Sequence, residues 1–384
     1  MPSILSRQTF AAVLLCAGLL GGASRADWPM HRGNPMLQGR AEDNVPDSPT
    51  LLWRFETEGP VRSSVAIQDG IAVFGSTDGK VYAVDAADGS SRWTYVAGES
   101  IEAPACIVDS RVYIGSAEGK LYALNLQDGS LLWTYETEDQ ILGGANWARF
   151  GESNDVRVVV GSYDFKLHCV DGRTGAEAWI YETENYINGT PSVAISNVVF
   201  GGCDGLLHSI NTSTGEKSGE IEIDDYIAGS AALEGDMAYF GHYGNRVIAA
   251  NRKTGMVEWE YEDREFAYLS SPAIGKDLIV IGGRDQRLHA IEKGSGRAAW
   301  TFQTRGKVDS SPVIAGDKVV FGSEDGWLYV VTLKDGTELW SNELGMGILS
   351  SPAVSDGRIF IGCEDGAVYA FGASGASAGI TAGP

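Results

Sequence analysis

Four stretches of this chain set acidic side chains at regular intervals, three of them with an aromatic one alongside. They are Glu136-Thr137-Glu138-Asp139, Glu182-Thr183-Glu184-Asn185-Tyr186, Glu222-Ile223-Asp224-Asp225-Tyr226 and Glu262-Asp263-Arg264-Glu265-Phe266, with Tyr268 just beyond the last. Rigid aromatic area ringed by charge suits recognition of a partner surface. The candidate binding residues are therefore Glu138, Glu184, Tyr186, Asp225, Tyr226, Glu265, Phe266 and Tyr268. The competing reading is a solvated acidic rim whose aromatics fill gaps between loops.

Catalytic chemistry is harder to find. His168, His208 and His289 each stand where other copies of an internal repeat carry tyrosine, so they read as core substitutes rather than metal ligands, and they lie in different copies. His242 is isolated. His31 with Met30 and Met36 resembles a soft-metal cluster, but an amino-terminal arm of this kind is expected to pack on the flank of the domain. The chain shows no Ser-His-Asp set, phosphate loop or zinc spacing, and its repeated Asp-Gly pairs are turn chemistry before they are calcium ligands. No catalytic, cofactor-binding or metal residue is assigned from these patterns.

What positions the acidic stretches is a repeat marked by tryptophan. Trp53, Trp93, Trp133, Trp179, Trp259, Trp300 and Trp340 are separated by 40, 40, 46, 80, 41 and 40 residues. A period of about 40 residues fits one four-stranded β-propeller blade. Eight cores align, from Gly75–Asp85 and Gly115–Asn125 through Gly322–Thr332 to Gly362–Gly372. Each begins after a strand of small residues such as Ser310-Ser311-Pro312-Val313-Ile314, suited to the crowded axis. A second apolar strand, an Asp-Gly hairpin turn that needs positive φ, a third strand and a second turn lead to the outer strand that carries the tryptophan.

These spacings predict an all-β protein, an eight-bladed β-propeller of four-stranded antiparallel blades over residues 48–376. The tryptophans should be structural anchors docking between blades, and Gly219, where the fourth blade lacks one, should mark the weakest junction. Leu51-Leu52-Trp53-Arg54-Phe55 is an outer strand without a preceding blade, while the last repeat has no outer strand. The amino-terminal strand is thus expected to complete the carboxyl-terminal blade and close the ring, which removes open sheet edges.

Outside the propeller, residues 1–26 read as a secretory signal peptide: a short apolar run follows Arg7 and ends at Ser24-Arg25-Ala26. A lipoprotein acylated on Cys16 is the rival, disfavoured by bulky Leu14 and Leu15 before the cysteine. Residues 27–47 form an amino-terminal arm and 377–384 a flexible tail. The expected location is the periplasm or cell envelope, with no transmembrane segment. The formal net charge of −22 argues against nucleic acid as partner, since phosphate binding needs a basic surface. Cys106, Cys169, Cys203 and Cys363 read as buried free thiols, with a Cys169–Cys203 bridge as the alternative.

The strings DGKVYAVDAADGSSRW and DGWLYVVTLKDGTELW resemble the PQQ-type propeller repeat over about residues 48–375. The resemblance implies one of two branches. Quinoprotein alcohol dehydrogenases hold pyrroloquinoline quinone and Ca²⁺ on the axis, with a disulfide between neighbouring cysteines and long loops. Proteins similar to the outer-membrane assembly factor BamB are non-enzymatic scaffolds. No two cysteines here are adjacent, and only the third blade is enlarged, around Asn146 to Val156. The expectation is therefore a non-enzymatic scaffold, a monomer without cofactor that acts on protein or peptide partners in the cell envelope. A quinone- and calcium-dependent oxidoreductase is the alternative.

Overall fold

The computed structural model describes residues 26–151 and 154–374; the leader with Cys16 and the tail at 377–384 lie outside them. Every regular element among the described residues is a β-strand, and no helix is long and apolar enough to cross a membrane. The strands form eight antiparallel sheets, each a blade of four strands. Blade 1 comprises Ala66–Gln68, Ile71–Gly75, Lys80–Asp85 and Ser91–Val96. Blades 2 to 7 span 106–136, 146–182, 192–222, 232–261, 273–303 and 313–343. Blade 8 takes Ala353–Ser355, Arg358–Cys363 and Ala367–Gly372 from one end of the chain and Thr50–Glu56 from the other. Trp53 pairs with Ala370 and Glu56 with Ala367, so the ring closes as the repeat predicts.

Second and third strands are apolar on both faces because each blade is sandwiched between two others; Ile71–Gly75 is buried throughout. Every outer strand slips register by one residue beside its tryptophan position, as between Ala83 and Val84 opposite Ser91 and Trp93. Such a bulge re-aims the side chain that follows it. The indoles turn to the next blade: Nε1 donates to the carbonyl of Ala86 from Trp53, Leu126 from Trp93, Gly172 from Trp133, Lys293 from Trp259 and Leu333 from Trp300, at 2.8–3.2 Å. Trp340 stacks edge-on against Phe371.

Around the axis, hydroxyls link one blade to the next. Backbone N–H groups of Thr190, Ser230, Ser271, Ser311 and Ser351 donate to the hydroxyls of Ser230, Ser271, Ser311, Ser351 and Ser64, at 2.9–3.0 Å. The chain of bonds starts at Gly144, whose N–H donates to Thr190 Oγ1. It breaks between blades 1 and 3, where Pro104 and Gly144 offer no hydroxyl.

The amino-terminal arm corrects the expectation that it packs on the flank. It runs inside the ring. Innermost strands present backbone N–H groups to the axis, and a buried donor without a partner is costly. The arm supplies carbonyls: Trp28 to Ile67, Pro29 to Ile107, Pro35 to Val193, Met36 to Leu233, Gln38 to Ile274 and Gly39 to Ile314. Asn146 Nδ2 of blade 3 also donates to Pro35, and Ser355 Oγ of blade 8 to Ala26. All eight blades therefore hold the arm, and Arg40–Ala41 adds a parallel strand to blade 7. At its centre Arg32 is fully buried, with Nη1 and Nη2 donating to the carbonyls of Ser311 and Pro272 at 3.0 Å. Burial lowers the guanidinium pKa to about 9. Only glycine fits at position 39, since a β-carbon there would stand 1.8 Å from Arg32 Nη2.

Candidate functional site

The arm fills the axis near the turns between first and second strands. At the other end the axis opens, where the loops entering the innermost strands meet the hairpin turns between second and third strands. A funnel of about 190 Å³ lies there, rimmed by Arg62, Glu102, Leu142, Asn188, Leu269 and Leu349, with His31 of the arm among its lining residues. Arg62 bridges Glu364 at 2.8 Å and Glu102 at 3.2 Å. Burial, then the neighbouring Arg32 charge, pushes the His31 pKa down to about 3, so the imidazole is neutral at ordinary pH.

Outside the funnel, blades 3 to 6 carry the acidic-aromatic loops. Glu138, Glu184 and Glu265 are exposed and Asp225 is half-buried; Lys166 pairs with Glu138 at 3.1 Å, and Asp225 caps the N–H of Tyr226 at 2.7 Å. Tyr186, Tyr226 and Phe266 are each 41–50% exposed. Tyr186 meets two aromatics of the blade 3 hairpin turn, with ring centroids 4.7 Å from Tyr163 and 5.0 Å from Phe165, and Tyr226 meets Tyr243 at 6.4 Å.

Phe165, Tyr163 and Tyr243 belong to this surface although their sequence positions suggest ordinary turns. The turn position of Phe165 is held by glycine at 79, 119, 205, 326 and 366 and by polar Asn245 and Gln286 in blades 5 and 6, all with positive φ. Phe165 itself sits at φ 70°. A bulky side chain in the left-handed region costs about 1–2 kcal/mol, and such strain concentrates at functional positions. The signal available in the sequence was the replacement of Gly by Phe in an otherwise regular turn.

Tyr268 does not belong to the surface. It is 1% exposed and packs against Tyr261 and His289. Its position matches Ile101, Ile141, Ile187 and Ile227, which cover the glycine ending a second strand; Tyr268 covers Gly241 in the same way. The loop into blade 6 is one residue longer than its counterparts, so Tyr268 stands one place out of register with the isoleucines along the sequence.

The three strand histidines are core residues, as expected. Tyr82, Tyr329 and Tyr369 donate to Asp78, Asp325 and Asp365 of their own turns; His168, His208 and His289 make the same bond to Asp164, Asp204 and Asp285 at 2.9–3.0 Å. The second ring nitrogen faces a tyrosine of the preceding blade, Tyr135, Tyr181 or Tyr261. Although burial pushes the Asp164 and Asp204 carboxyls up, the histidine hydrogen bonds leave both below the ordinary range. Asp285 and His289 also approach Asp263, one ligand atom from each lying within 4.8 Å of the others; the separate turns give no sign of this grouping in the sequence. Cys106, Cys169, Cys203 and Cys363 are buried and unpaired. Burial raises their thiol pKa values, to about 12 for Cys169 and Cys363.

A family described as outer membrane protein assembly factor BamB matches residues 43–261 and 263–378. Among solved structures, BamB from Moraxella catarrhalis superposes with a TM-score of 0.72 at 21% identity, over 86% of this chain and 99% of that one. The computationally designed Ika8 protein gives 0.73 at 17% identity, over 83% and 98%. Quinohemoprotein alcohol dehydrogenase from Comamonas testosteroni gives 0.77 at 14% identity, over 91% and 81%. At these identities the likenesses establish the propeller fold alone. No curated protein matches the chain.

Proposed function

Because the chain belongs to the family described as outer membrane protein assembly factor BamB, we propose that it is a non-enzymatic envelope scaffold that binds protein or peptide partners on its loop face. The observation that carries this is the exposed aromatic set of blades 3 to 6, Phe165, Tyr186, Tyr226, Tyr243 and Phe266, bordered by Glu138, Glu184, Asp225 and Glu265. Aromatic anchors with a polar border are the make-up of binding hot spots. The strained Phe165 supports the same reading, since a glycine would form that turn without cost. An extended partner segment across the rim, or a strand added to a blade edge, fits this surface. On this reading the chain acts as a monomer in the periplasm or at the envelope.

The quinone-dependent alternative finds less support. The arm occupies the axis, and the remaining funnel of about 190 Å³ is smaller than the roughly 300–1,000 Å³ of ordinary small-molecule sites. Its walls are mostly serine, glycine and leucine; Glu102 is the one carboxylate among the lining residues, and it is paired with Arg62, which also holds Glu364. Adjacent cysteines are absent from the sequence. These residues do not fit pyrroloquinoline quinone with Ca²⁺.

The test is capture from envelope extract by the parent and by the Tyr186→Ala/Tyr226→Ala double variant. The expected result is a defined set of partners lost by the variant, whose circular dichroism and melting temperature match the parent. Unfolding of the variant would assign the tyrosines to loop packing; no capture by the parent, with quinone-dependent dye reduction present, would favour the enzyme.

A further inference from the structure

We propose that Asp263, Asp285 and His289, at the junction of blades 5 and 6, bind a divalent first-row transition cation, with Zn²⁺ as the reference ion. The starting observation is a buried carboxylate oxygen left bare. The Asp285 side chain is 2% exposed, and its Oδ2 has no hydrogen-bond partner. Corresponding carboxylates elsewhere use both oxygens: Asp78 accepts N–H bonds from Glu58 and Lys80, Asp164 from Glu138 and Lys166, and Asp325 from Arg305 and Trp327, all at 2.9–3.1 Å. Asp285 keeps only the His289 bond, at Oδ1. An uncompensated buried carboxylate oxygen is expensive, and a cation is the partner that suits it.

The loop into blade 6 differs from its counterparts in the way such a site requires. Positions 57, 137, 183 and 304 hold threonines whose hydroxyls donate to loop carbonyls at 2.7–2.9 Å. The equivalent residue here is Asp263, which offers acceptors only. Its ligand oxygen comes within 4.8 Å of a carboxylate oxygen of Asp285 and a ring nitrogen of His289. Asp263 is exposed and gives the ion a path from solvent. Arg287 Nη1, 3.3 Å from Asp263 Oδ2, is the competing cation.

His289 is already oriented for the role. Its Nε2 points at Asp285, and its Nδ1 lies 3.0 Å from Tyr261 Oη. With a cation on Nε2, the ring proton resides on Nδ1 and donates to Tyr261, the outer partner that fixes metal-bound imidazoles. Blades 3 and 4 repeat the histidine, aspartate and tyrosine, but among the described residues only this junction adds a third ligand. Two carboxylates and an imidazole suit Zn²⁺, Co²⁺ or Mn²⁺ better than an all-oxygen Ca²⁺ site, and three protein ligands leave one position for water.

Calorimetric titration of chelator-treated full-length protein with ZnCl₂ tests the site, with CoCl₂ absorption reporting nitrogen coordination. The expected result is saturable binding of one ion and a visible cobalt spectrum. Asp263→Asn should weaken binding by about 10-fold or more, and Tyr261→Phe by about 10-fold, while the metal-free melting temperature of Asp263→Asn stays at the parent value. Absence of saturable binding, or parent affinity in Asp263→Asn, would overturn the proposal and leave zinc on the general acidic surface. Asp263 is at the surface, so that variant decides even where His289→Gln fails to fold.

Discussion

The indole of Trp179 donates to the carbonyl of Thr212 at 3.0 Å and lies so closely over Gly215 that a β-carbon there would stand 2.7 Å from the ring. The same bond and the same glycine recur at other junctions, which makes each such indole a bolt between neighbours. Trp259 donates to Lys293 and covers Gly296. Trp259→Ala should destabilise the fold by about 3 kcal/mol, seen as a lower denaturant midpoint with unchanged slope.

Blade 4 has Gly219 at the bolt position, and the glycine that an indole would cover is open: a β-carbon on Gly255 would meet nothing within 4 Å. Gly219→Trp should fill that groove and bond to the carbonyl of Arg252. Burial of the ring and removal of a strand glycine together favour folding by about 1–3 kcal/mol. A raised melting temperature checks this; a lowered one would mean that the junction is packed in another way.

Phe165 separates strain from structure. Phe165→Gly relieves a left-handed backbone cost of about 1–2 kcal/mol and loses an exposed ring contact. Stability should stay within about 1 kcal/mol of the parent while partner capture falls, as measured by denaturation and pulldown on the same preparation.

His31 gives the arm a pH signature. The unfolded chain protonates this imidazole near 6.5, whereas the folded one holds it neutral to about 3. Its contribution to stability is complete above 6.5 and is lost as pH falls through that window, because the unfolded state binds the extra proton. At about pH 5 the loss is on the order of 2 kcal/mol. Urea denaturation at neutral and mildly acid pH should show the drop, and His31→Gln should remove it.

Blade number, strand order and ring closure were legible because each rests on many copies: a misplaced Trp93 would still leave six others in register. The arm was not, because it has no copy. Trp28, Met30 and Leu37 are apolar enough to be buried, and all three are, but only the N–H groups of Ile107, Val193 and Ile314 show where. Tyr186, Tyr226 and Phe266 were found on the surface since their loops align; Tyr268 was misplaced by one inserted residue. The grouping of Asp263 with Asp285 and His289 joins two blades and needs the folded ring to appear.

The arm at residues 27–47 lies within a circle that residues 50–56 fasten, so a part of the chain made early depends on strands made last. Blade 8 must exist before residues 50–56 have a sheet to join, and blade 7 before Arg40–Ala41 can pair; contacts between positions about three hundred residues apart form slowly. Until then the closing strand waits as an unfastened thread, and a chain cut before Ala367 lacks the strand that would tie it.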